Sequence, residues 1–374
     1  LPVIRGEGGR LLPHNPKGGR MNKSYHRHSL AVAVVLGMVV SVLTSQQSWA
    51  AGKGPLQVKP PKAFPLIITQ PGSYQLIGNM TVAAATNAII IQADNVVLDL
   101  NGFTVRGNGA VAAGIAGIVA TPASARSITV KNGSVYAFAG HGISLAGRGH
   151  LVADVKAEGN ASDGIFVSQA SSVEHCTATG NGGNGIETSK ACTIKDNVCS
   201  TNTVSGIRAG ESCTVLQNTS ASNGAHGINA DQGSTMVQNT CSENAISGIE
   251  MGGRCLAQQN NCFFNDIGID DSASGSQIKD NVCTLNTLAG IAVVSDCEIS
   301  HNSCNRLNGM GIFCGGSYNS VVDNTCLQNT GAGINLGSGG NNYAATNKLS
   351  NNGSAITNAG GDTLGTNDLA NVIF

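Results

Sequence analysis

Charge and aromatic rings are both scarce in this 374-residue chain, at 11% and 4% of its residues. The first fifty residues hold six basic side chains (Arg5, Arg10, Lys17, Arg20, Lys23, Arg27) and one acid, Glu7, leaving 15 basic and 21 acidic for the remainder. A surface with that balance cannot displace the counterions of a duplex, so nucleic acid is excluded as a partner. No apolar run is long enough to span a bilayer. The longest, Leu30–Leu43, rises only about 21 Å as a helix against a hydrocarbon core of about 30 Å. C-x-x-C pairs and Cys/His ligand spacings are absent, so no metal site and no cofactor is expected. Leucines such as Leu256, Leu285, Leu307 and Leu327 fall in no common column, which excludes a leucine-rich repeat.

What is present is a repeat. Gly-Ile recurs with its Ile at 118, 143, 165, 186, 207, 228, 249, 269, 291, 312 and 334, and Ala355-Ile356 closes the series. Residues 185–249 hold three near-copies of one 21-residue unit. A fixed period of that size marks a solenoid, whose units bury their apolar faces only against one another. Fifty glycines and few charges would otherwise suggest a chain without a core. Short runs with period-two alternation, broken by Gly, Asn and Ser, read as strands and turns. The expected fold is all-β, a single-stranded right-handed parallel β-helix of about 11–12 coils of 20–25 residues.

The chain divides by composition. Residues 1–20 are Gly/Arg/Pro-rich and precede Met21; an upstream extension is expected there. Residues 21–50 combine a basic start, the apolar run and Ser48-Trp49-Ala50, the form of a signal peptide. An exported mature chain is therefore expected to start at Ala51, bound for the periplasm, the envelope or the exterior, with no membrane span. Residues 51–62 read as an extended leader, 63–356 as the β-helix, and 357–374 as a cap with Val372, Ile373 and Phe374 over the last coil.

The segment at 68–82, the NVVLDLNGFTV coil and the Gly-Ile units resemble bacterial exported proteins of the pectate-lyase-like, right-handed parallel β-helix superfamily. The likeness covers residues 63–356. It implies the fold, and a range of activities from lyases, hydrolases and epimerases to adhesins. The carboxylate cluster and basic proton abstractor of a calcium-dependent pectate lyase are not found.

Stacked coils turn columns into ladders at about 4.8 Å spacing. Asn197, Asn218, Asn239, Asn260, Asn281, Asn302, Asn324 and Asn347 form one column, and Asn202, Asn223, Asn244, Asn265, Asn286, Asn329 and Asn352 a second, with Leu307 in place of Asn. Both read as internal turn ladders, because repeated turns must satisfy their backbone groups. Cys199, Cys241, Cys262, Cys283, Cys304 and Cys326 share one column, and Cys192, Cys213, Cys255 and Cys297 another. Parallel Cβ vectors suit a disulfide poorly, so reduced core thiols are expected. Gly180 to Gly185 spells G-x-G-x-x-G but opens no helix, and the dinucleotide reading fails.

Within each Gly-Ile strand the residue after Ile points outward. That column reads Phe166, Glu187, Arg208, Asn229, Glu250, Asp270, Ala292, Phe313 and Asn335. Glu187 and Arg208 are expected to pair, and Asp231 points the same way, so Glu187, Arg208, Asn229 and Asp231 are the candidate binding residues. Glu250 and Asp270 are the candidate catalytic carboxylates, acid/base and second carboxylate, near the about 5–5.5 Å spacing of a retaining glycosidase. His141 and Asp163 are expected to stack, whereas His226 has no carboxylate beside it. Function is read first as a rigid binding or structural surface toward polysaccharide or envelope glycan. The alternative is a polysaccharide lyase, hydrolase or epimerase. Thr193, Thr214 and Thr235 suggest an ice-binding row that Leu256 ends. Oligomeric state is left open.

Overall fold

The computed structural model describes residues 54–370, except 84, 110–113 and 359. The expected signal peptide, upstream extension and terminal Val372–Phe374 cover lie outside the described residues. Two parallel sheets make up the described chain, one of 14 strands and one of 27. Each regular coil sends one strand to the first sheet and two to the second, as in Ile186–Thr188, Thr193–Lys195 and Val198–Ser200. Register is in steps of whole coils: Ile186 faces Ile207, and Ile207 faces Ile228. Among the described residues no helix is long and apolar enough to cross a membrane.

The first sheet holds two more coils than are marked by the Gly-Ile pairs and the closing Ala355-Ile356 together. Leu66–Ile68 and Ile89–Ile91 pair ahead of Ile118–Ala120. The first is preceded by Pro65 and the second by Ala88, so neither carries the Gly-Ile mark. Pairing also runs beyond 63–356 at both ends. Leu56–Val58 pairs with Gly72–Leu76, and Thr363–Leu364 and Asp368–Ala370 pair with Tyr343–Ala345 and Lys348–Ser350.

The chain turns at three left-handed corners per coil, such as Ala191, Asp196 and Thr201, then Ser212, Gln217 and Ser222. This conformation costs an L-residue roughly 1–2 kcal/mol. Each corner turns the following side chain inward, onto a row that offsets the cost. In the first row the Oδ1 of Asn218 accepts from the backbone N and the Nδ2 of Asn197, at 2.9 and 3.0 Å. The Nδ2 of Asn218 donates back to the carbonyl of Ile194. The second row runs the same way from Asn160 to Asn286. At Leu307 only the backbone bond survives, to Asn329 Oδ1.

A third row is chemically mixed. Its members are His150, Ser171, Cys192, Cys213, Ser234, Cys255, Ser276, Cys297, Asn319, Asn342 and Asp362. The backbone N of Cys192 donates to Cys213 Sγ at 3.3 Å, that of Cys213 to Ser234 Oγ at 3.1 Å, and that of Cys297 to Asn319 Oδ1 at 3.0 Å. The two cysteine columns therefore do different work. This one accepts from turn amides, while Cys241, Cys262, Cys283 and Cys304 are fully buried among core Ile and Val. All twelve cysteines are free and buried. Burial pushes the Cys176 thiol up to about 12, and Cys199 is raised for the same reason.

A candidate functional site beside the Gly-Ile strands

Two neighbouring columns build the site. The residue after each Ile points outward, and from Phe166 to Asp270 it is half-buried. In six consecutive coils the residue before Gly-Ile forms a second polar column: His141, Asp163, Asn184, Ser205, His226 and Ser247. Asp163 is buried and collects this column. Its Oδ2 lies 3.0 Å from His141 Nδ1, within ion-pair reach though not aligned as a hydrogen bond. Its Oδ1 accepts from the backbone N of Asn184 at 2.7 Å. The Nδ2 of Asn184 donates to Glu187 Oε2 at 2.8 Å, and its Oδ1 accepts from the backbone N of Ser205. Phe166 packs against the His141 ring, centroids 5.8 Å apart. Burial first, then the charge of Asp163, raises the Glu187 carboxyl above the ordinary carboxylate range; Asn184, Arg208 and His141 oppose the shift.

Beyond the strand, a groove of about 620 Å³ crosses the coils along the solenoid axis. Ala146, Ser168, Ser189, Gly210 and Asp231 contribute one lining residue per coil. Their stacking is fixed by backbone bonds such as Ser189 N to Val167 O and Gly210 N to Thr188 O. Small side chains at the first four places leave the room. Glu187, Arg208, Lys190 and Glu211 also line it. Arg208 reaches forward: its Nη1 donates to Asn229 Oδ1 at 3.0 Å and its Nη2 to Asp231 Oδ1 at 2.8 Å.

Farther along the outward column Glu250 and Asp270 occupy adjacent coils in register. Asp270 is held up to about 6, first by burial and then by the charges of Glu250 and Asp271. His226 Nδ1 lies 3.8 Å from Glu250 Oε2. Burial lowers the His226 imidazole below its ordinary value, with Glu250 opposing and Arg208 assisting. Behind the strand Asp271 is fully buried and accepts from the Cys297 thiol at 3.1 Å.

The family model for the right handed beta helix region matches residues 87–246 and 209–372. The chain belongs to the right-handed β-helix family. Among solved structures, this β-helix is similar to the A-module of Azotobacter vinelandii mannuronan C-5 epimerase AlgE4, with a TM-score of 0.58 at 14% identity over 79% of this chain and 91% of that one. The A-module of A. vinelandii AlgE6 gives 0.51 at 13% identity, covering 87% and 92%. The periplasmic alginate epimerase AlgG gives 0.50 at 11% identity, covering 78% of each. At such identities the likeness is one of fold. A search of curated proteins finds no match.

On this β-helix the candidates named from sequence fall into two groups. Glu187, Arg208 and Asp231 line the groove, and Asn229 braces Arg208. Glu250 and Asp270 are neighbours in the same column, but outside the groove lining. Two expected pairings are corrected. Arg208 bonds Asp231 rather than Glu187, because Asp231 and Asn229 together offer it two acceptors while Asn184 occupies Glu187. His226 does have a carboxylate beside it, since the coil brings Glu250 across from the next turn. Sequence reading passed over Asn184, Ser205, Lys190 and Glu211. The signal for the first two is legible: the residue before Gly-Ile is polar in six consecutive coils, then becomes Ile267, Ala289, Met310 and Ala332. Among the described residues no His/Cys/Asp/Glu group is arranged to hold a metal ion.

Proposed function

We propose that the protein binds a polysaccharide along the groove at Glu187, Arg208 and Asp231, as an exported, rigid binding surface. The groove carries this reading. It is open, runs with the axis over successive coils, and mixes donors (Arg208, Lys190) with acceptors (Glu187, Glu211, Asp231). Sugar hydroxyls both donate and accept, so a chain of hydroxyl-bearing rings suits that lining. Fold relatives named for acting on mannuronan and alginate support the same substrate class. Export fits the basic, apolar and small-residue segments of 21–50. It is tested by secreting the full chain from a bacterial host and weighing the product, which should begin at Ala51.

The binding test is affinity electrophoresis of the chain from Ala51 in gels containing neutral polysaccharides, alginate or pectate. Arg208→Ala removes a charged donor worth roughly 1.5–3 kcal/mol, so retention should weaken about tenfold or more. Retention unchanged after both Arg208→Ala and Lys190→Ala rejects the groove.

A second reading rests on Asp270. A carboxyl held near 6 beside a second carboxylate, with an imidazole close by, is a set suited to acid–base work on a glycan. The roles expected from sequence are then exchanged: the raised carboxyl of Asp270 supplies the proton and Glu250 is the base. New reducing ends or unsaturated products that disappear in Asp270→Asn would establish catalysis. Their absence across the panel leaves binding.

A further inference from the structure

One corner position in each coil is left-handed and outward-facing: Thr201, Ser222, Glu243, Phe264, Leu285, Arg306 and Gln328. Five of these are polar. Phe264 and Leu285, on adjacent coils, are bulky and apolar at φ 57°, where Asn or Gly is favoured, and are 52% and 42% exposed. Ile246, Val282 and Leu288 beside them are exposed as well. Phe263 meets Phe264 edge-on at 5.7 Å. Nothing in the described chain covers this ridge, which stands at the corner before the Gly-Ile strands, away from the groove.

The charges that bracket the ridge are opposite. Glu243 accepts from Ser222 Oγ at 3.2 Å, and Arg306 Nε donates to Gln328 Oε1 at 3.2 Å. Neither has an ion-pair partner among the described residues. Stacking is fixed by the pairing of Ser242, Phe263, Thr284 and Asn305, each one residue earlier. Along the axis the order is acid, ring, aliphatic, base, in steps of about 4.8 Å. Such a row is complementary to its own reverse.

We propose that this corner is the docking surface for a second copy of the chain, with the two solenoid axes antiparallel. Phe264 of each copy packs on the partner's Leu285, and Glu243 of each pairs with the partner's Arg306. The contact is isologous, so it closes as a dimer. A ridge four coils long belongs with small interfaces, below about 1,200 Å² in total, and the dimer is concentration-dependent.

Sedimentation equilibrium of the chain from Ala51 over a dilution series tests this. The wild type should pass from monomer to dimer mass as concentration rises. Leu285→Asn, which suits the left-handed corner and so spares the fold, should keep the monomer mass throughout with an unchanged circular dichroism spectrum. Glu243→Arg and Arg306→Glu should each hold the protein as monomer, and the double swap should restore the dimer. A wild type that stays monomeric at the highest concentration overturns the proposal, as does a dimer indifferent to Leu285→Asn. A double swap that fails to restore the dimer overturns the antiparallel register. A monomer whose polysaccharide retention falls on Leu285→Asn assigns the ridge to a glycan and overturns the pairing too.

Discussion

A methyl group placed on Gly248 would sit 2.7 Å from the carbonyl oxygen of Gly268, 2.9 Å from Asn265 Nδ2 and 3.0 Å from Cys262 Cβ. From Gly142 on, the glycine of each Gly-Ile pair meets the next coil's amide row in this way, except Gly290, which meets Leu307, and that is why the pair marks the repeat. Gly248→Ala should lose about 1–3 kcal/mol of stability, read as a lowered denaturation midpoint. Asp270 makes a second prediction at this scale. Its folded carboxyl titrates near 6 against an ordinary 3.8, so the folded state binds the proton more tightly. Ionised Asp270 therefore opposes the fold above about pH 6, and that opposition is relieved as pH falls toward 4. Thermal melts of Asp270→Asn should lie above wild type at about pH 8 and converge with it below about pH 4. Inward and outward positions were legible in the sequence because alternation within a strand decides them. The partner of Arg208 was not, since its two acceptors come from the following coil and only side-chain geometry ranks them against Glu187.

Rows of side chains, not single contacts, are the elements that hold this solenoid. Replacing Asn218 by Ala would strip acceptors from the N and Nδ2 of Asn197 and donors from the carbonyls of Ile194 and Leu216. Each buried orphan costs about 1–3 kcal/mol, so the variant should lose several kcal/mol in denaturant titration. Leu307→Asn should behave unlike an ordinary large-to-small core change, which costs about 2–5 kcal/mol. It supplies the amide missing between Asn286 and Asn329, and its midpoint should stay within about 1 kcal/mol of wild type. Both asparagine rows were legible because one residue type recurs at one interval. The third row was only half legible: His, Ser, Cys, Asn and Asp share nothing in composition, and what unites them is an inward acceptor placed one residue after a left-handed corner. The first two coils escaped the Gly-Ile count for a related reason, since Pro65 and Ala88 stand where the later coils use glycine.

At the scale of the whole molecule one apolar core runs from Val58 to Leu349, and every cysteine sits within or beside it. A thiol reagent should accordingly find almost none of the twelve in the folded protein and all of them in denaturant. Native reactivity of several thiols would mean that coils open locally. The rows also give the molecule a sense of direction. Each side-chain amide here donates one proton to the coil ahead, Asn319 to Asn342 and Asn342 to Asp362, and one to a carbonyl of the coil behind, while the backbone N–H of each turn donates only ahead. The third row ends on a carboxylate, with Asp362 Oδ1 taking both the N and the Nδ2 of Asn342 at 2.8 and 3.0 Å. That negative group stands where unquenched N–H dipoles would otherwise emerge, much as an acidic residue settles the first turn of a helix. Removing that carboxylate would leave both N–H groups of Asn342 without an acceptor at the last coil the described row reaches.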